Sequence, residues 1–178
     1  MRALLLLLAL AGCHGQVVNW SPDPPWSHAP ISVRSDVAPV YADSIAYARA
    51  SWNHAAGCTV LVATPSFDAD VLVTDYEGSA CGAGANLEAW PDSTAGTWRC
   101  SAEHAEVRFR SMSDIRSVAV VAMHELGHAL GLDHDRSAVM RPDPQLYEPQ
   151  NVGGSLGLLP WPSDADGAAV ASRYCGRR

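Results

Sequence analysis

His124-Glu125-Leu126-Gly127-His128-Ala129-Leu130-Gly131-Leu132-Asp133-His134 is the stretch that decides how this 178-residue chain is read. His124 and His128 are four residues apart, so a helix would place both imidazoles on one face, one turn apart. Two neutral imidazoles so placed make half of a tetrahedral zinc site. Glu125 lies about 100° round the helix from His124. Its carboxylate can reach the edge of such a site without being a ligand. A third ligand cannot continue up the same helix, because it would point away from the metal. Gly131 stands where the helix must stop, at a position that calls for a left-handed backbone. His134 then arrives from the far side of the metal. Three His leave a fourth position for water, which marks a catalytic rather than a structural zinc site. With five positions fixed, three of them the scarce residue His, a chance match is roughly one in 10⁵ for a chain this size. A plain core helix has no reason to carry an acid and two His on one face, and a zinc site that had lost its chemistry would not need Glu125.

Outward from this stretch, Ser117 to Leu130 reads as the strongest helix, with Ala119, Ala122, Met123, Leu126 and Leu130 as one apolar stripe. Ala42 to Ala56 is Ala-rich without Gly or Pro and is followed by Gly57, which predicts a second helix. Ser163 to Tyr174 is expected to be a closing helix, with Ser163 and Asp166 as a Ser-x-x-Asp start signal. Ile31 to Val37 and Glu106 to Arg110 alternate apolar and polar residues, and Thr59 to Ala63 and Val71 to Thr74 are short β-branched runs; all four read as strands. Cys81 to Cys100 is Gly- and Pro-containing, with a short strand expected over Ala85 to Trp90. Asp143 to Pro162 reads as irregular. The order strand, helix, strands, helix, irregular segment, helix implies one α+β domain with a twisted mixed sheet and three helices.

The N-terminus has the shape of an export signal. Arg2 precedes a short apolar run, Ala3 to Leu10, too short to span a membrane as a helix. Leu10-Ala11-Gly12-Cys13 resembles the bacterial lipobox, which implies a signal peptide over 1–12, lipid on the Cys13 sulfur, and a Pro-rich tether over 13–30. An alternative course for that tether runs along the domain surface, with Trp20 and Trp26 as anchors. Residues 31–178 would form the domain. His14 after Cys13 favours an outer-membrane or surface position, with secretion as the alternative if Cys13 carries no lipid. Too little chain separates Cys13 from Ile31 for a latency segment, so activity without proteolytic activation is expected. The formal net charge of -7, with 12 Lys+Arg against 19 Asp+Glu, argues against nucleic acid as a partner. The remaining Cys58, Cys81, Cys100 and Cys175 suggest two disulfides in an exported chain, and four Cys allow three pairings. No CxxC pair supports a Cys-ligated zinc.

The extended motif from His124 to His134 resembles the metzincin metallopeptidases. Ser137-Ala138-Val139-Met140, six residues after His134, looks like their Met-turn, with Met140 as its methionine. Pro142, and Asp166 through Tyr174, are similar to matrixins; Asp135 is instead what adamalysins show, and the stretch from His134 to Met140 is shorter than in most matrixins. The resemblance is strong from Val118 to Met140 and mainly architectural from 31 to 110. It implies a metzincin-type catalytic domain of matrixin-like kind with one catalytic Zn2+ on His124, His128 and His134, and Glu125 as general base and acid. A structural Ca2+ or second Zn2+ is left open, since no matrixin-style His/Asp cluster is visible. Substrate would be a protein or peptide, extended along an edge strand expected within Ala83 to Trp90, with the specificity pocket walled by Pro142 to Tyr147. A monomer touching the membrane only through its N-terminal lipid is expected. The favoured pairings are Cys81–Cys100, bracketing the expected edge strand, and Cys58–Cys175, tying the last helix to the end of the first; this is similar to astacin connectivity. Hydrolysis of a non-peptide bond, or a non-catalytic binding lipoprotein, are the alternatives that a cleavage assay would separate.

Overall fold

Ile31 and Val33, Val71 and Val73, and Ala105, Val107 and Phe109 occupy every second position of their segments, and all are buried. That period of two is the pleat of a strand, and it supplies one apolar sheet face. A computed structural model of the chain describes residues 26–75, 95–101, 103–109, 115–134, 139–140 and 161–176. In it these segments are β1 (Ile31–Asp36), β3 (Val71–Thr74) and β5 (His104–Phe109), joined by β2 (Leu61–Ala63) and β4 (Ala95–Ser101) in one five-stranded sheet of order β2-β1-β3-β5-β4. β2, β1, β3 and β5 pair in parallel; β4 runs antiparallel to β5.

Among the described residues three α-helices complete the α+β fold: α1 (Ala42–Ala56), α2 (Ile115–Ala129) and α3 (Asp164–Tyr174). The core is continuous across both layers. Ile45, Ala48 and Trp52 of α1 and Ala122, Met123 and Leu126 of α2 pack with the sheet residues in one buried cluster, which also takes in Val170 and Tyr174 of α3. α1 is tied to β2 by Asn53, whose carboxamide oxygen accepts from the backbone of Val60 and Leu61 and whose nitrogen donates to the carbonyl of Leu61. α3 starts on a reciprocal cap: Ser163 Oγ accepts from the Asp166 amide while Asp166 accepts from the Ser163 amide. A disulfide joins Cys58, just past α1, to Cys175, just past α3, across 117 residues of sequence. In the chain-entropy account a loop of that size is worth about 5 kcal/mol as an upper figure.

Two features of the fold bear on the expectations from sequence. The antiparallel strand of the described sheet is β4, and it covers Ala95–Ser101. Sequence placed the edge strand within Ala83 to Trp90, which lies outside the described residues, as do Cys13, Cys81 and the segment from Pro142 to Tyr147. Gly96 and its polar neighbours read locally as loop; pairing with β5 overrides that preference, as β pairing often does. The folded part also begins before Ile31. Trp26 is buried, and its indole Nε1 donates to the carbonyl of Ala129 at 2.7 Å. Trp26 and Ala29 therefore pack on the domain, which is the alternative course that the sequence offered with Trp26 as an anchor. Among the described residues no helix is long and apolar enough to cross a membrane.

Candidate metal and catalytic site

α2 is buried on nearly every side, with Val118 through Met123 and Leu126 through Gly127 inside the protein. Such a helix keeps its direction through packing rather than through exposed-face preferences. It carries His124, Glu125 and His128. Gly127 lets other groups approach it closely: a Cβ there would run into Met140 Sδ and stand 2.8 Å from Trp52 Cζ2. Met140 and Trp52, both fully buried, thus press on the helix next to His128. Trp52 Nε1 also donates to the carbonyl of Met123 at 2.8 Å, one residue before His124.

The helix ends in a Schellman turn. The Gly131 amide bonds to the carbonyl of His128 at 2.8 Å, the Leu132 amide bonds to that of Gly127 at 3.0 Å, and Gly131 has φ 82°. A Cβ at that angle would clash with the backbone, so glycine is needed. The carbonyls left over at the helix end find donors from remote parts of the chain: Trp26 Nε1 on Ala129, Tyr174 Oη on Leu130 at 3.1 Å, and Arg173 Nη1 on Gly131. The chain then turns back to His134.

The three imidazoles converge. Their Nε2 atoms stand 3.0 Å apart for His124 and His128, and 3.2 Å apart for His124 with His134 and for His128 with His134. Nδ1 of His124 is 2.7 Å from the carbonyl of Val139, and Nδ1 of His128 is 2.8 Å from that of Leu132. A carbonyl only accepts, so each Nδ1 carries a proton, and as a metal ligand each ring would present its Nε2 lone pair to the centre. Lone pairs this close repel unless a cation lies between them. Nitrogens about 2.0–2.1 Å from a tetrahedral zinc would be about 3.3 Å from one another, close to the separations seen. The residues therefore fit a metal ion, with the ring-to-carbonyl bonds that orient metal-ligating histidines already made.

Electrostatics agree with neutral ligands. Burial, reinforced by His124, pushes the pKa of His128 down to about 4. Loss of solvent around the His134 ring, with repulsion from His128 and His124, also brings His134 down to about 4. Glu125 is only 7% exposed. Burial raises its pKa above the usual carboxylate value, and His124 and the Thr97 hydroxyl pull partly against that rise. Thr97, on β4, places its Oγ1 2.7 Å from Glu125 Oε2 and 2.9 Å from the Glu125 carbonyl.

His124, Glu125, His128, Gly131, His134 and Met140 are thus brought to one place. Sequence reasoning gave Trp26 only as an anchor of the N-terminal segment and Tyr174 only as the end of the closing helix, and it did not find Trp52, Thr97 or Arg173 as supports of the site. A glycine inside a strongly helical, apolar run was the one available signal, since it costs about 1 kcal/mol relative to Ala and asks for a packing reason. A second cluster, Cys100, His104 and Glu106, has ligand atoms close together. Cys100 is in a disulfide, whose partner lies outside the described residues, and Glu106 is paired with Arg108 at 2.7 Å. With no thiolate and a carboxylate already neutralised by a guanidinium, this cluster is a poor metal site.

Comparison with known proteins gives one family match. Residues 62–155, rather more than half of the chain, match the matrixin family model, a span that includes β3, β4, β5, α2 and the three histidines. No curated protein matches the chain.

Proposed function

The chain belongs to the matrixin family, and from that premise we propose that it is a zinc-dependent endopeptidase whose zinc is held by His124, His128 and His134. The observation that carries this reading is the convergence of three Nε2 atoms within 3.2 Å, two of them with Nδ1 fixed on backbone carbonyls. Zinc, when bound, supplies a Lewis acid that acidifies a water and polarises the scissile carbonyl. Glu125 takes a proton from the attacking water and returns it to the leaving amine. Its burial suits this work, because a carboxylate raised towards neutrality is a better proton acceptor than an exposed one. The substrate backbone would lie extended along β4, the outer strand of the described sheet on the side of Glu125. Such pairing gives affinity through backbone groups and reads little sequence.

The deciding experiment is cleavage of an unstructured peptide by the purified chain. Activity should vanish with a chelator and return with added zinc. Glu125→Ala should keep its zinc and lose about 10²–10⁴-fold in turnover, the usual worth of a general base. Turnover unaffected by the chelator would defeat the reading. We further propose that the chain is exported and anchored by lipid at Cys13. Fatty-acid labelling that is equal in wild type and Cys13→Ser would defeat the anchor alone.

A further inference from the structure

Thr97 is the described side chain that joins β4 to the carboxylate of Glu125. Its Oγ1 lies 2.7 Å from Oε2, a short contact of the charge-assisted kind, and 2.9 Å from the carbonyl of the same residue. Oε1 of Glu125 takes no such bond among the described residues. Thr97 stands opposite Val107 in the β4–β5 ladder, so its backbone is fixed by strand pairing and not by a loop. A β-branched side chain on a paired strand has few χ1 choices, so the hydroxyl is offered at a fixed point. Glu125, for its part, sits on a helix locked by Trp52 and Met140. The two elements that flank the site therefore meet at this hydroxyl.

We propose that Thr97 is a positioning residue for Glu125: its hydroxyl holds Oε2 and so leaves Oε1 directed to the water and the leaving amine. This rests on Glu125 being the proton-transfer group, as argued above. A carboxylate without that tie would sample other rotamers, and misplacement of a reacting group by about 1 Å costs on the order of 10²-fold. The role belongs to the hydroxyl and not to the shape of the side chain, so an isosteric replacement separates the two.

The test uses the zinc-loaded full chain and an unstructured peptide, with Thr97→Val, Thr97→Ser, Glu125→Gln and the Thr97→Val/Glu125→Gln double variant. Thr97→Val should keep one zinc per chain and the wild-type Tm, keep KM, and lose about 10- to 100-fold in kcat. Thr97→Ser should restore most of that loss. In the Glu125→Gln background, adding Thr97→Val should cost nothing further, because the group it positions no longer transfers a proton. Wild-type kcat in Thr97→Val, or an equal loss in both backgrounds, overturns the proposal. If the valine variant does not fold, Thr97→Ala takes its place with the same expectations. If the wild type cleaves no peptide, the endopeptidase reading fails by itself. Crystal structures then decide the positioning: one Glu125 conformer in wild type and a displaced carboxylate in Thr97→Val support it, and an unmoved carboxylate overturns it.

Discussion

The two sides of the site are held in different ways. On the metal side, four successive carbonyls at the end of α2 have partners, Ala129 with Trp26, Leu130 with Tyr174, Gly131 with Arg173 and Leu132 with the His128 ring, and the Val139 carbonyl takes the His124 ring. On the strand side, Glu125 is tied to β4 by one hydroxyl. The difference teaches how the chain divides its work. A metal site needs its ligands fixed before the ion arrives, since any freedom left in them is lost on binding. A proton-transfer group needs only one oxygen held, because the other must serve water and then the amine. The metal side should therefore tolerate the loss of one remote donor but not the loss of a ligand. The strand side should be sensitive to a single atom.

The largest effect expected from breaking this contrast is on the metal side. His134→Ala leaves two ligands on one helix, an incomplete site, and should lose both bound zinc and turnover to background. Elemental analysis that still finds one zinc per chain would remove His134 from the ligand set. Acid should act next. His128 and His134 have folded pKa values of about 4 against 6.5 in the open chain, so the unfolded state takes up protons first as pH falls. Their contribution to the stability of the metal-free fold is complete above about pH 6.5 and is lost as pH falls from there to about 4. Glu125, whose pKa is raised, acts in the opposite sense, but it is one group against two. The Tm of the chelated protein should drop across that window. A flat Tm would mean that the rings are not kept neutral by the fold.

Smaller effects sharpen the comparison. Gly127→Ala drives a methyl into Met140 and Trp52 and should cost about 1–3 kcal/mol by overpacking, with weaker zinc binding, measured by denaturant unfolding and zinc titration. Tyr174→Phe removes one donor from a turn that has several. A loss of about 0.5–1.5 kcal/mol is expected in unfolding, with zinc content unchanged. If zinc is lost too, the turn depends on each donor separately and the metal side is not as over-determined as described.

The sequence was legible where structure is decided locally. α1 runs from Ala42 to Ala56 as its composition predicts, and Ser163 with Asp166 marks the start of α3 as its spacing predicts. The convergence of His124, His128 and His134 follows from helix pitch and one glycine, so a stretch of eleven residues announced it. β4 was not legible, because a strand containing Gly96 next to a polar run is made by its partner β5 and not by its own residues. The supporting contacts were not legible either. Thr97 reaches Glu125 across 28 residues, Trp52 reaches Met123 across 71, and Trp26 reaches Ala129 across 103. Side-chain bonds to distant backbone carry no period and no motif. They exist only once the core cluster has brought the elements together.

The central claim is that three imidazoles hold one catalytic zinc with a position left for water. X-ray absorption at the zinc edge of the zinc-loaded chain tests it most directly. The account predicts one zinc per chain with nitrogen scatterers at about 2.0–2.1 Å, the multiple-scattering pattern of three imidazoles, and one further light atom. A sulfur shell at about 2.3 Å, or a spectrum with fewer than three imidazoles, would contradict it.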